Sequence, residues 1–521
     1  MDTKALRQKI LNLAIRGKLV PQDPNDEPAS VLLERIRAEK QQMVKDGKLK
    51  AKDIKNDTVI FKGDDNLHYE QFADGTVKCI EDEIPFELPD GWAWVRINTA
   101  CIINPRNNID DNTEVSFVPM ANISEGYANS FVSDSRLWRK VKTGYTHFAE
   151  NDIGIAKITP CFENKKSVVF TGLINGYGAG TTELHIIRTI SGLIVPEYLL
   201  CFAKRNDFIL GGVQTFSGDV GQQRVTKDYI ANYLFSLPPL NEQKQIISGI
   251  KEAYYIIENI EKTKLSLIED VNKAKSKILD LAIRGKLVPQ NPNDEPASVL
   301  LERIRAEKEE LIKQGKIKRD KKESVIFKGD DNSYYEDLPD QWVETKLSTI
   351  SEVITKGTTP RGGKVAYTDN GIGFLRAENI AGYEKLALNN LNYVDEKSHS
   401  DFLKRSILKA NDILITIAGT LGRTAVVPCE ALPLNTNQAV AIVRLVNCKL
   451  VNVKFIIFAI NSPAIKKDLL MQSVDMAIPN LSLENISNCT IPLPPLAEQR
   501  RIVHTIEALF AQIDKIVEQI S

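Results

Sequence analysis

Residues 237–290 read LPPLNEQKQIISGIKEAYYIIENIEKTKLSLIEDVNKAKSKILDLAIRGKLVPQ. Within this stretch Ile250, Ala253, Ile257, Ile260, Leu267, Val271, Ala274, Ile278 and Leu281 recur at alternating intervals of three and four, and Lys264 fills the one broken slot. That interval is the seam of a coiled coil, narrower than the apolar face of an ordinary surface helix. The spacing predicts one long helix in the middle of the chain. At about 1.5 Å per residue, some 45 residues would reach close to 70 Å, longer than a single globular core requires.

The same sequence occurs once more, in two pieces. LPPLNEQKQIISGI at Leu237 returns as LPPLAEQRRIVHTI at Leu493, and the seam returns with it at Ile506, Leu509, Ile513, Ile516 and Ile520. KILDLAIRGKLVPQ at Lys277 matches KILNLAIRGKLVPQ at Lys9, which places Leu6, Ile10 and Leu13 on seam slots. Joining Ser521 to Met1 would rebuild a second helix of the same kind. The chain therefore reads as two copies of a domain plus connector, circularly permuted so that one connector is cut at the termini.

Composition sets bounds on this reading. A chain of 521 residues holds more than one domain. With 43% hydrophobic and 26% charged residues it is an ordinary globular sequence. Seven scattered cysteines without a CxxC pair predict reduced thiols, hence a cytoplasmic protein without a disulfide framework or zinc site. No apolar run is long enough to span a bilayer, and the start has no signal-like segment. A net charge of −1 means that any nucleic-acid binding must come from local segregation of Lys and Arg.

In order, the expected organisation is a helical part of the distal connector with a linker (1–87), a first globular domain (88–237), the central connector with its linker (238–337), a second globular domain (338–493) and a closing helix (494–521). Residues 13–40 and 281–308 differ only at Asp23 against Asn291, whereas the globular domains align weakly. Near-identical connectors beside divergent domains imply one assembly role and two recognition tasks. The first helix is expected to run to about Val20 and stop at Pro21. SFVPM, DIGIAKI, SVVF and ELHIIR in the first domain, with GFLRA, DILITI, TAVVP and AVAIVR in the second, read as strands of mixed α/β domains.

Catalytic motifs fail on inspection. GTTPRGGK at Gly357 resembles a phosphate-binding loop, but its spacing is one residue long and Val365 replaces the required hydroxyl. Asp340 and Glu344 of PDQWVETK sit too close together for a nuclease site, and the five histidines form no metal-binding pattern. Binding features remain. Asn164, Lys165, Lys166, Gln222, Gln223, Arg224 and Lys227 are candidate DNA contacts in the first domain; Arg361, Lys364, Arg376, Arg423 and Asn437 are those in the second. Arg, Gln and Asn can read base edges through paired hydrogen bonds, and Lys neutralises phosphate. Phe162 and Tyr383, near these loops, read as core.

Two recognition-sized domains, two helical connectors, PPLxEQ at the head of each connector and AIRGKL at its tail together resemble the specificity subunit of a type I restriction-modification enzyme, over essentially the whole chain. The motif residues are Pro238, Pro239, Leu240, Glu242 and Gln243, with Pro494, Pro495, Leu496, Glu498 and Gln499. The resemblance implies an α+β fold: two target-recognition domains joined by two long antiparallel coiled-coil connectors in pseudo-twofold arrangement. It implies that each domain reads half of a bipartite site in double-stranded DNA, and that the connectors set the gap and dock two methylase subunits through their helix motifs. Motor-nuclease subunits join the full complex. S-adenosylmethionine, ATP and magnesium would belong to those partners, leaving this chain without catalysis or cofactor of its own. The rival readings are a fused restriction-modification enzyme and a coiled-coil scaffold that does not bind DNA.

Overall fold

The computed structural model describes residues 2–190, 192–219, 222–319, 338–360, 362, 367–471 and 480–520. It divides into two units, Met1–Thr263 and Lys264–Ser521, and the division falls beside the broken seam slot at Lys264.

Each unit contains the same succession. In the first, the helix Thr3–Ile15 starts where the Asp2 carboxylate caps the amides of Lys4 and Ala5 at 2.9 and 3.0 Å. It ends earlier than the expected Val20, because Gly17 adopts φ 63° and Lys18 N–H bonds back to Leu13 O at 2.8 Å. A left-handed glycine closes a helix this way at no steric cost, so Pro21 is not the stop. The central helix, Leu240–Ile283, likewise ends at a left-handed glycine: Gly285 has φ 65°, and Lys286 N–H reaches Leu281 O at 2.9 Å. The near-identical connectors continue as helices Ala29–Lys45 and Ala297–Lys313, which bury matching residues: Leu32, Leu33, Ile36 and Lys40 in one, Leu300, Leu301, Ile304 and Lys308 in the other.

The globular parts share a sheet plan. In the first unit an antiparallel sheet runs Ser167–Val169, Ile153–Ala156, Leu184–Thr189, Cys101–Ile103. In the second, Thr424–Val426, Ile413–Thr416, Val440–Leu445 and Ser351–Lys356 take the same order. A second sheet in each pairs two strands in parallel, Glu114–Val118 with Tyr177–Gly180 and Ile372–Leu375 with Leu434–Thr436. A two-stranded ribbon closes each domain, Ala93–Arg96 with Leu234–Leu237 and Val343–Lys346 with Thr490–Leu493. The eight strand-like runs read from sequence all lie on these strands.

The cores correct the seam reading. The first unit buries Ile10, Leu11, Ala14 and Ile15 with Trp92, Tyr198, Phe235 and, from the central helix, Ile246, Ile247, Ile250 and Ile257. The second buries Leu279, Ala282 and Ile283 with Trp342, Phe455, Ile502, Val503 and Ile506. Leu279, Ala282 and Ile283 are not seam positions, and Ala274 and Ile260, which are, stay exposed. The helix ends are walls of globular cores, so their buried face is wider than a two-helix seam. Ile257 belongs to the domain core of its own unit.

One element was not expected. Val59–Lys62, His68–Gln71 and Val77–Cys79 form a small antiparallel sheet in the first unit. Between VIFKGDDN and LPD the first copy has 21 residues (67–87) and the second 5 (333–337), so the segment that carries the second and third of these strands is longer in the first copy.

Candidate nucleic-acid interface

Three motifs meet at the root of each domain. In the first unit Trp92 Nε1 donates to Glu242 at 2.8 Å, and Gln22 Nε2 donates to the same carboxylate at 3.3 Å. Gln243 Oε1 accepts from Val195 N–H at 2.8 Å while its amide donates to Pro238 O at 3.0 Å. In the second unit Trp342 and Gln290 hold Glu498 at 3.0 and 2.7 Å, and Gln499 accepts from Asn452 N–H at 2.8 Å and donates to Pro494 O at 2.9 Å. Glu242 is 2% exposed and Gln243, Glu498 and Gln499 are 0% exposed. Pro238, Pro239, Pro494 and Pro495 lie within the same roots, and all four are buried. Burial pushes both carboxyls above their ordinary range. The polar atoms of these side chains are spent inside their own unit, because a buried acceptor must be matched there.

The opposite ends of the sheets carry the loops. In the first unit Lys157 N–H bonds to Glu183 O at 3.0 Å, and Val225 N–H to Lys157 O at 2.9 Å. Thr159 N–H bonds to Gln223 O at 3.0 Å, and Ser217 and Arg224 exchange backbone bonds. This ladder brings Gln222, Gln223 and Arg224 beside the turn after Ile153–Ala156. Arg224 lies flat against Glu183, Nε to Oε2 at 2.8 Å and Nη2 to Oε1 at 3.0 Å, with Nη1 donating to Gln222 O at 2.9 Å. The guanidinium holds the Glu183 carboxyl below its usual range. Exposed Lys227 opens the following helix, which Thr226 caps.

Lys165 and Lys166 go elsewhere. Lys165 Nζ reaches Asn206 at 2.5 Å and sits 4.7 Å from the centroid of the Tyr127 ring, and burial, then Lys4, lower its pKa. Lys166 Nζ donates to Met120 O at 3.3 Å, and Asn164 donates to Glu125 at 3.3 Å. Both lysines are half-buried, so their ammonium groups are committed to protein partners. Phe162 is core, as expected, and Tyr383 is half-buried against Phe510.

In the second unit Asn437 N–H bonds to Leu375 O at 3.2 Å, and its Oδ1 accepts from Ala439 N–H at 3.2 Å. Thr358 N–H reaches Thr436 O at 3.0 Å, and Ile417 N–H reaches Ala439 O at 2.8 Å. The backbone thus gathers the loops at Thr358, Arg376, Ile417 and Asn437. Arg376 pairs with Glu378, and Arg423 is exposed. Arg361 and Lys364 lie outside the described residues.

Sequence reasoning missed two ion pairs at the other ends of the same strands, away from these loops. Asp152 meets Arg188 at 2.8 and 2.7 Å, and Asp412 meets Arg444 at 2.6 and 2.6 Å. In each case a left-handed asparagine precedes the aspartate, Asn151 and Asn411, both with φ 68°. The repeated Asn-Asp in ENDIGIA and ANDILIT was the available signal. Among the described residues no group of His, Cys, Asp and Glu could hold a metal, and no helix is long and apolar enough to cross a membrane.

Comparison with known proteins agrees with this architecture. The family described as type I restriction modification DNA specificity domain matches residues 89–270 and 339–521. The EcoAI type I restriction enzyme specificity subunit of Escherichia coli is 35% identical over 564 residues, covering 98% of this chain and 90% of that protein. The EcoEI specificity subunit of Escherichia coli is 34% identical over 565 residues, with the same coverage of 98% and 90%. A solved chain described as "Structural basis underlying complex assembly and conformational transition of the type I R-M system" shares the fold with a TM-score of 0.56 at 19% identity, covering 84% of this chain and 94% of that one. The duplicated domains, their shared roots and these matches place the chain in the type I restriction-modification DNA specificity family.

Proposed function

We propose that this chain is the DNA-recognition subunit of a type I restriction-modification complex, each globular domain reading one half of a bipartite site. The observation that carries this reading is a contrast. The two units repeat their roots, their sheet order and their buried Asp–Arg pairs, yet differ in the side chains on the loop ends: Arg224 and Glu183 in one, Asn480 and Ala439 at the matching backbone positions of the other. Preserved geometry with altered donors is what two readers of different sequences require.

The central helix and the terminal helices pair as antiparallel connectors in a pseudo-twofold arrangement, which fixes the gap between half-sites as dimer geometry does elsewhere. Their outer faces dock two methylase subunits, and motor-nuclease subunits join the full assembly. Methyl transfer and cleavage, with S-adenosylmethionine, ATP and magnesium, belong to those partners. Among the proposed DNA contacts, Gln222, Gln223, Arg224 and Lys227 in the first domain and Arg376, Arg423 and Asn437 in the second are better placed than Lys165 and Lys166.

The test is titration of the chain, alone and with methylase subunits, against random duplex DNA, followed by sequencing of the selected duplexes. Enrichment of a motif with two fixed halves and a constant gap is expected. Binding of methylase subunits without DNA selection would favour the scaffold reading instead.

A further inference from the structure

We infer that Arg224 reads a guanine in the half-site of the first domain, and that Glu183 is the positioning residue that aims it. The inference rests on the DNA-recognition reading and deepens it. Of the five N–H groups of a guanidinium, Nε and one on Nη2 go to the Glu183 carboxylate and one on Nη1 to Gln222 O. Five less three leaves two, one on each terminal nitrogen, and the side chain is 38% exposed. A pair of adjacent terminal N–H groups matches O6 and N7 of guanine in the major groove. The backing carboxylate fixes the plane of the guanidinium before DNA arrives, so less side-chain entropy is lost on contact.

A purely architectural role does not account for the pair, because the second unit builds the same platform without it. There Ile417 N–H bonds to Ala439 O at 2.8 Å and Leu481 N–H to Ile417 O at 3.1 Å, as Lys157 does to Glu183 and Val225 to Lys157. Ser482 caps the helix that follows, as Thr226 does. Ala439 stands in the place of Glu183, and exposed Asn480 in the place of Arg224. The ion pair is dispensable to the backbone, and its side chains are what changed between the two readers.

The experiment uses the full chain assembled with methylase subunits, with methylated positions mapped by long-read sequencing. With Arg224→Ala, one base of one half-site should lose its restriction to guanine, by roughly 5- to 150-fold in discrimination; the other half-site and the gap should be unchanged. Arg224→Lys keeps the charge but lacks the fork, and should relax the same base. Glu183→Ala should relax that base and no other, Glu183→Gln should fall between it and wild type, and Glu183→Ala with Arg224→Ala should be no worse than Arg224→Ala alone. Undiminished stringency with Arg224→Lys, or equal weakening at all positions with Arg224→Ala, would overturn the assignment. A wild-type complex that methylates no restricted motif would instead overturn the DNA-recognition reading beneath it.

Discussion

The indole N–H of Trp92 meets the carboxylate of Glu242 at 2.8 Å, tying the start of a globular domain to the helix that leaves it. Gln22 closes the same carboxylate from the N-terminal connector, so three segments far apart in sequence share one buried acceptor. Gly17 sits beneath them at φ 63°, where a Cβ would come within 2.4 Å of Pro89 Cγ; Gly285 and Pro339 repeat that contact at the same 2.4 Å.

Glu242→Ala should lower stability by about 1–3 kcal/mol, the cost of leaving buried donors without an acceptor. Hydrogen exchange should show the loss in peptides of residues 2–263, with those of 264–520 protected as before. Glu498→Ala should give the reverse pattern. Loss of protection in both units from either variant would mean that the roots are not local.

Asp412→Ala should be costlier, about 3 kcal/mol. Its carboxylate is fully buried, accepts from Lys409 N–H at 2.7 Å and holds Arg444 with two bonds. Removing one partner of a buried pair leaves the other uncompensated, and the partial water contact of Arg444 keeps the cost at the low end of the usual range. Urea unfolding measures it, and Asp152→Ala should behave alike.

The strands, the long central helix and the duplication were legible because they depend on local pattern: β-branched runs, apolar spacing and copied text; the glycine stop inside RGK was passed over in favour of Pro21. The Asp152–Arg188 and Arg224–Glu183 pairs were not legible, since partners 36 and 41 residues apart leave no periodic trace. PPLxEQ was legible as a helix start, but sequence does not show that Trp92 and Trp342 arrive to bury its carboxylates. The seam was read too narrowly for a related reason: Leu279, Ala282 and Ile283 face a globular core that only the fold supplies.

The Arg7–Glu261 pair gives a pH signature. Two hydrogen bonds at 2.8 and 3.1 Å hold the Glu261 carboxyl down at about 2, from an ordinary 4.5. A depressed folded pKa contributes stability above the unfolded value and loses it as pH falls through the folded one. The stability difference between wild type and Glu261→Gln should therefore be full near pH 6 and shrink between about pH 4.5 and 2. A pH-independent difference in urea midpoint would show that the pair contributes through packing alone.

The last prediction separates reading from spacing. Replacing residues 93–235 with the equivalent domain of a relative, so that Trp92 stays with Glu242, should change one half of the methylated motif and leave the other half and the gap intact. The loops that carry Gln222, Arg224 and Lys227 lie wholly inside that segment; of the root, Gln22, Trp92, Pro238, Glu242 and Gln243 lie outside it, and the exchanged domain need supply only the backbone N–H that Val195 gives to Gln243. Inserting one heptad after Thr263 should do the converse, because the division between the two units falls there and neither core loses a residue. A heptad adds about 10 Å at 1.5 Å per residue, roughly three base pairs at about 3.4 Å each, and keeps the helical face in register. Both half-sites should persist with a longer gap, unless the shorter terminal connector refuses the extension, in which case methylation is lost without any change of base identity. A heptad insertion that altered the bases read, or a domain exchange that altered both halves, would mean that recognition and spacing are not carried by separate parts of the chain.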